Sequence, residues 1–301
     1  MSAVFVTTAY GGPEHQQLLQ REAPVPRTGE IAIAVRAAGV NPADGKRREG
    51  MFGTRGRLPM SLGLEASGIV TAVGEGVQDF AVGDAVLGTP ARGLGAFAEH
   101  TVLTAAASAH KPAEVSFPDA ATLPVAGTTA YDLIHQRGPT AGQSVLVLGA
   151  GGGVGHLALQ VAAAHGLRAI GVASQSKRAL IEETGAVFVR SRDGVTERVR
   201  ALAPDGVDLL ADLVGGDALR ELAPVVRDPS GIVSAADGET AVALGGAGRE
   251  SSAGALAAVT ALVRDRLVDP HVTQTLPLAQ AAEALAGVEA GHSSGKTVII
   301  P

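Results

Sequence analysis

The stretch Ser144-Val-Leu-Val-Leu-Gly-Ala-Gly-Gly-Gly-Val-Gly155 decides how this chain is read. Val145 to Gly149 begin as a continuous apolar strand of the kind buried on both faces. The glycines that follow permit a tight turn, and the residues after Gly155 take up a helical pattern. A helix entered in this way presents unpaired backbone N–H groups and a partial positive charge to an anion. Strand, glycine turn and helix in that order are the context in which a glycine run holds a dinucleotide pyrophosphate. A strict G-x-G-x-x-G does not fit, and the best register is Ala150-x-Gly152-x-x-Gly155. Ala150, Gly151, Gly152, Gly153, Val154 and Gly155 are therefore the expected cradle of a nicotinamide or flavin cofactor.

The next strand, Leu167 to Ala173, leads to Ser174-Gln-Ser-Lys-Arg178. An NAD site places an acid about 20 residues after the glycines, to bond the ribose hydroxyls. No acid stands here. A 2′-phosphate wants cations and hydroxyl donors instead, which Ser174, Lys177 and Arg178 supply. Lys177 and Arg178 also read as solvated first-turn residues, but bases there oppose the helix dipole, so an anionic partner is favoured. The expected cofactor is NADPH. Arg190 and Arg192, past the following strand, either assist or are surface charges.

Outward from this segment the chain has two characters. Up to about residue 110 it reads as β-rich, with candidate strands at Val4–Val6, Glu30–Arg36, Ala66–Val73, Val82–Leu87 and Ala96–Val102, heavily punctuated by glycine and proline. From Asp119 to about Val268 strands alternate with helices, which implies a parallel sheet covered on both faces. A strand near Val272, a helix from Leu278 to Ala290 and a strand Lys296–Ile300 follow. The domains are expected at 1–120, completed by 269–301, and at 121–268. With 301 residues and 46% hydrophobic residues the chain can bury a full core. A net charge of −6 argues against nucleic acid. The absence of cysteine excludes disulfides, thiolate zinc sites and cysteine nucleophiles. No apolar run approaches the length of a membrane span, and no secretory leader is visible, so a cytoplasmic location is expected.

The ordered set of segments Gly39-Val-Asn-Pro-Ala-Asp44, Gly63-Leu-Glu-Ala-Ser-Gly-Ile-Val70, Val82-Gly-Asp84, Gly95-Ala-Phe-Ala-Glu99, Leu123 to Tyr131, the glycine run and Gly295-Lys-Thr-Val298 resembles the medium-chain dehydrogenase/reductase superfamily, and within it the zinc-independent quinone oxidoreductases. The resemblance runs from Val4 to Ile300. It implies an α/β fold class: a GroES-like β-rich catalytic domain plus a Rossmann doubly wound parallel-sheet domain. Zinc members carry Cys-Gly-x-Asp and Gly-His-Glu segments, whereas the matching stretches here are Asn41-Pro-Ala-Asp44 and Gly63-Leu64-Glu65. A cysteine ligand is replaced by Asn41 and a histidine ligand by Leu64, so no metal is expected.

The resemblance implies hydride delivery from NADPH to a quinone or an α,β-unsaturated carbonyl, with hydrogen-bond donors near the acceptor oxygen lowering the barrier. It places Asn41 beside nicotinamide and substrate, where its amide would donate to a developing enolate; the alternative is a plain Asn-Pro turn. Lys46 stands where relatives carry an aromatic residue, and is either a proton source or a solvated lysine in the Lys46-Arg-Arg48 cluster. Thr129 matches a threonine near the cofactor, or else caps a helix. Val214, Ala235 and Ala236 are expected against ribose and nicotinamide at strand ends. Asp44 and Glu65 are expected to be structural, and Lys296 either approaches the cofactor or lies on the surface. The loops Arg47–Arg57 and Thr89–Leu94 are expected to shape the substrate pocket. Ala241-Val-Ala-Leu244 is read as the shortened remnant of an edge strand through which relatives pair, with a homodimer as one expectation. Two alternatives stay open: enoyl-thioester or other alkene reduction in a biosynthetic pathway, and a nucleotide-binding protein without turnover.

Overall fold

The computed structural model describes residues 1–291 and 294–301. They fall into two compact units, Met1–Val125 with Pro270–Pro301, and Ala126–Asp269.

In the second unit six strands lie in the order Val187–Arg190, Arg168–Ala173, Ser144–Leu148, Leu209–Asp212, Ile232–Ser234, Ala247–Gly248, all parallel. This is the doubly wound Rossmann order. The chain reverses direction across the sheet between Ser144–Leu148 and Leu209–Asp212, the position at whose strand ends open parallel sheets bind ligands. Ser144–Leu148 is buried throughout, as a strand covered on both faces must be. Its side chains join Ile170, Val172, Leu210 and Ile232 in one cluster. Full burial of each such side chain contributes about 1.5–3 kcal/mol. The helix Gly153–Ala164 follows the central strand directly and buries Leu157, Leu159 and Val161.

In the first unit the strand Glu30–Gly39 pairs antiparallel with both Glu65–Val73 and His100–His110, and Ala85–Pro90 lies between the latter two, so these four strands close on one another. Closure removes the free edges of a β-sheet. Lys296–Ile300 extends the sheet beyond Glu30–Gly39, and Val272–Pro277 pairs with it in parallel. A separate sheet joins Gln16–Arg21, Ser2–Thr7 and Met60–Ser61. Ile31, Ile33, Leu62, Phe97 and Leu103 centre the core, and the helix Ala281–Glu289 adds Ala281, Ala284 and Leu285 to it.

Three readings of the sequence need correction here. Ala241 to Leu244 is not an edge strand: Gly238–Ala243 is a helix, because the Asp237 carboxylate caps it by accepting from the Thr240 amide at 3.0 Å. The edge strand is Ala247–Gly248, inside the segment read as a glycine-rich loop. The strand expected at Ala96–Val102 begins only at His100. Ala96, Phe97 and Ala98 are buried, but the Phe97 and Ala96 amides bond the Leu62 and Gly63 carbonyls.

Candidate active site

In the unit 126–269 the glycine turn is held from below. The amides of Gly149 and Ala150 both donate to the Val172 carbonyl, at 3.1 Å each, and Gly149 takes φ +88°, a conformation that favours glycine. Gly152 is the N-cap of the helix Gly153–Ala164, and no side chain caps it. The remaining glycines differ in what they are for. A Cβ on Gly155 would press on the Gly149 carbonyl oxygen and lie 2.7 Å from the Ala150 Cα, so the fold itself demands glycine there. A Cβ on Gly151 would meet the Lys177 side chain at 2.5 Å. A Cβ on Gly152 would meet only the Gly149 carbonyl oxygen, at an ordinary 3.6 Å. Gly152 is exposed and has φ −85°, which any residue adopts. Packing therefore gives no reason for glycine at 152; close approach of a ligand to the backbone does.

Lys177 thus lies beside the turn, its ammonium held below the usual lysine range by burial. Ser174 is exposed, its Oγ 3.0 Å from that of Ser176. Arg178 points into a different set of contacts: it pairs with Glu182 at 2.9 Å and lies 6.0 Å from the centre of the Phe188 ring. Arg192 is exposed, and its carbonyl accepts from Arg198.

At the neighbouring strand ends Asp212 is fully buried. One carboxylate oxygen accepts from the Val214 and Gly215 amides, at 2.9 Å each, and the other accepts from Ser234 Oγ at 2.5 Å. Ser234 Oγ accepts in turn from the amides of Ala236 and Asp237, at 3.1 and 2.9 Å. One buried acid therefore shapes both loops expected to face the ribose and nicotinamide, leaving Val214 and Ala235 exposed. Nothing local in the sequence announces the pairing of Asp212 with Ser234, 22 positions on. Thr129 is buried in the helix Thr128–His135.

In the first unit Asn41, Glu65 and Lys296 form a buried polar cluster. Lys296 Nζ donates to Asn41 Oδ1 at 2.6 Å, to the Val40 carbonyl at 3.1 Å and to Glu65 Oε1 at 3.2 Å. Asn41 Nδ2 donates to Glu65 Oε1 at 2.7 Å, and Glu65 Oε2 accepts from the Val125 amide at 2.8 Å. Lys296 is 4% and Glu65 0% exposed, so a surface role for Lys296 is excluded. Asn41 caps the helix Pro42–Arg48 and commits one of its two amide N–H groups to Glu65. Asp44 accepts from the Asn41 amide at 2.8 Å, while its second oxygen is buried without a partner. Burial, with Glu65 adding to it, pushes the Asp44 carboxyl up to about 7.

The first unit also holds a cleft of about 950 Å³, bounded by Arg47, the loop Phe52 to Arg57, Met60, Leu64 and Arg92. Leu64, which stands where zinc members carry a histidine, lines it. Lys46 is exposed on the helix and is not part of the lining, whereas Arg47 is. The two loops expected to shape a pocket do so, but Arg92 was not singled out by any motif.

Two family models match the chain: the alcohol dehydrogenase GroES-like domain over residues 27–113 and the zinc-binding dehydrogenase over residues 184–299. The chain is 36% identical over 218 residues to the synaptic vesicle membrane protein VAT-1 homolog of Rattus norvegicus, a match covering 70% of this chain and 53% of that protein. It is 34% identical over 211 residues to the quinone oxidoreductase of Lama guanicoe, covering 68% and 64%. The chain thus spans about half the length of the first of these relatives and under two thirds of the second. The Escherichia coli quinone oxidoreductase complexed with NADPH superposes with a TM-score of 0.89 at 27% identity, over 99% of this chain and 100% of that one. A Rossmann sheet with this glycine turn, together with a GroES-like β unit, defines a medium-chain dehydrogenase/reductase. The chain belongs to that superfamily, in its quinone oxidoreductase branch.

Proposed function

We propose that the protein is an NADPH-dependent reductase that transfers hydride to a quinone or an α,β-unsaturated carbonyl without a metal. The observation that carries the reading is Gly152: a glycine that neither packing nor backbone conformation requires, at an uncapped helix start, in a sheet whose crevice lies beside it. The residues present fit a dinucleotide. Gly151, Gly152, Gly153 and Val154 offer backbone amides to the pyrophosphate. Lys177, with Ser174, meets the 2′-phosphate, and the Asp212–Ser234 pair holds the Val214 and Ala235–Ala236 loops against ribose and nicotinamide. NADPH, when bound, supplies the hydride.

The chain's own contribution is to orient, to exclude water and to stabilise charge on the acceptor oxygen. Asn41 keeps one amide N–H beyond its bond to Glu65 for that purpose, and Thr129 belongs to the cofactor-binding unit. Metal independence rests on donor chemistry: Leu64 has no ligating atom and the chain has no cysteine. The relatives named above support the cofactor and the acceptor class, since one is titled a complex with NADPH and two are quinone oxidoreductases.

The test is oxidation of NADPH and NADH with a panel of quinones and enones, alongside Kd for both cofactors. NADPH is expected to bind more tightly. Lys177→Ala is expected to weaken NADPH by about tenfold or more and NADH little, the loss of a charge-assisted hydrogen bond. Equal weakening of both cofactors removes the 2′-phosphate assignment. Uptake of NADPH with no oxidation by any acceptor favours a nucleotide-binding protein without turnover.

A further inference from the structure

We infer that the cleft in the first unit selects an acceptor carrying a negative charge, a carboxylate or a phosphate, remote from the bond that is reduced. The inference rests on the reading of this unit as the acceptor-binding half of a reductase. Four of the twelve residues lining the cleft are arginines, Arg47, Arg55, Arg57 and Arg92, and none is an aspartate or glutamate. The concentration is not a property of the chain as a whole, which carries 24 basic and 30 acidic residues.

Nor is it explained by internal pairing. Some arginines elsewhere are matched to acids, Arg48 to Glu289 at 2.9 Å, Arg249 to Asp132 at 2.6 Å and Arg227 to Asp208 at 2.6 Å. Among the described residues Arg55, Arg57 and Arg92 have no carboxylate within ion-pairing distance, and all three are exposed. Arg47 spends one N–H on the Leu94 carbonyl at 3.3 Å. Like charges gathered round one concavity repel each other and raise the local potential, an arrangement that favours an anion inside. Guanidinium groups match carboxylate and phosphate oxygens with paired donors.

The rest of the lining suits the other end of such a molecule. Phe52, 65% exposed, offers a flat apolar face for a conjugated system, and Leu64 replaces a ligating side chain with hydrocarbon. Guanidinium groups and apolar surface lining one cleft suit an amphiphilic acceptor.

The experiment compares unreactive probes in charged and neutral pairs, by calorimetry on the full chain saturated with NADPH: 2-naphthoate against 2-naphthamide, and pantetheine 4′-phosphate against pantetheine. Saturation keeps phosphates out of the dinucleotide cradle. The anionic member of at least one pair is expected to bind about tenfold more tightly, equivalent to about 1.4 kcal/mol. The pair that shows the preference identifies carboxylate or phosphate as its source. In the triple variant Arg55→Gln, Arg57→Gln, Arg92→Gln, whose sites are exposed, that preference is expected to vanish.

Equal binding within both pairs overturns the inference, as does a preference that survives the triple substitution. A fall in NADPH affinity by the same factor in the triple variant reassigns these arginines to the cofactor and also overturns it. Failure of the chain to take up NADPH at all counts against the reductase reading; the probe comparison, run then without cofactor, still decides the charge preference.

Discussion

Replacing Lys296 by methionine puts the buried cluster of the first unit to a quantitative test. The ammonium makes three contacts of 2.6, 3.1 and 3.2 Å at a position only 4% exposed. Its loss removes the Lys296 ammonium from the fully buried Glu65, which also accepts from Asn41 Nδ2 and the Val125 amide. Breaking a buried ion pair from one side costs about 3–5 kcal/mol. Glu65→Gln breaks the same pair from the other side, leaves the ammonium without its counter-charge and is expected to cost a similar ~3–5 kcal/mol. The double variant contains no unpaired charge, so its loss should fall short of the sum by about 2 kcal/mol, within the range for residues in one network.

The readout is built into the composition. The chain has two tyrosines and no tryptophan, and Tyr10 lies in the first unit while Tyr131 lies in the second. In a Tyr131→Phe background, tyrosine fluorescence during urea unfolding follows the first unit alone, which avoids treating two units as one transition. If the two single losses add to the double within about 0.5 kcal/mol, the three residues do not act as a network and the reasoning fails.

Two further outcomes follow from the geometry. Gly152→Ala is expected to leave the urea midpoint nearly unchanged while weakening NADPH binding by about tenfold or more, whereas Gly155→Ala, which drives a methyl into backbone, is expected to cost about 1–3 kcal/mol of stability; a destabilised Gly152→Ala of unaltered affinity would reverse the assignments. Asp44, raised by burial from 3.8 to about 7, is penalised when charged in the folded state only. The stability it contributes is whole below about pH 4, declines between pH 4 and 7 and is flat above, a swing of up to about 4 kcal/mol. Asp44→Asn keeps an acceptor for the Asn41 amide, so its advantage over the parent, measured by urea unfolding, should grow from pH 4 to 7; parallel profiles would show that Asp44 does not titrate in this window.

The Rossmann half was legible because its signal is local and dense. Strand, glycines and helix lie within a dozen consecutive residues, and the parallel strands beyond are buried apolar runs. What escaped was set by partners distant in sequence. Lys296 follows a glycine in a segment that looks no different from a surface turn, and nothing near it announces Glu65, 231 positions away. The loop Thr89–Leu94 was expected at a pocket, but that its Arg92 would share one cleft with Arg55 and Arg57 was not. Ala241 to Leu244 carries β-compatible residues, and the deciding feature was the Asp237 cap ahead of it, a helix-start signal with its acceptor three residues before Thr240. The Asn41-Pro42 pair was readable as a turn for the same reason: a proline at the first helical position and an asparagine before it serve both structures.

The late position of Lys296–Ile300 has a consequence for biosynthesis. Glu65 and Asn41 are translated early, yet the ammonium that pairs with Glu65 and donates to Asn41 is added only after all of residues 126–269 have been made. At about 5–20 residues per second that interval is roughly seven to thirty seconds on the ribosome. Throughout it the nascent first unit lacks the Lys296 ammonium beside Glu65 and the outer neighbour of Ala38 and Gly39, while the later unit is already able to complete its own sheet. The two units should therefore acquire protease resistance in the reverse of their order of synthesis.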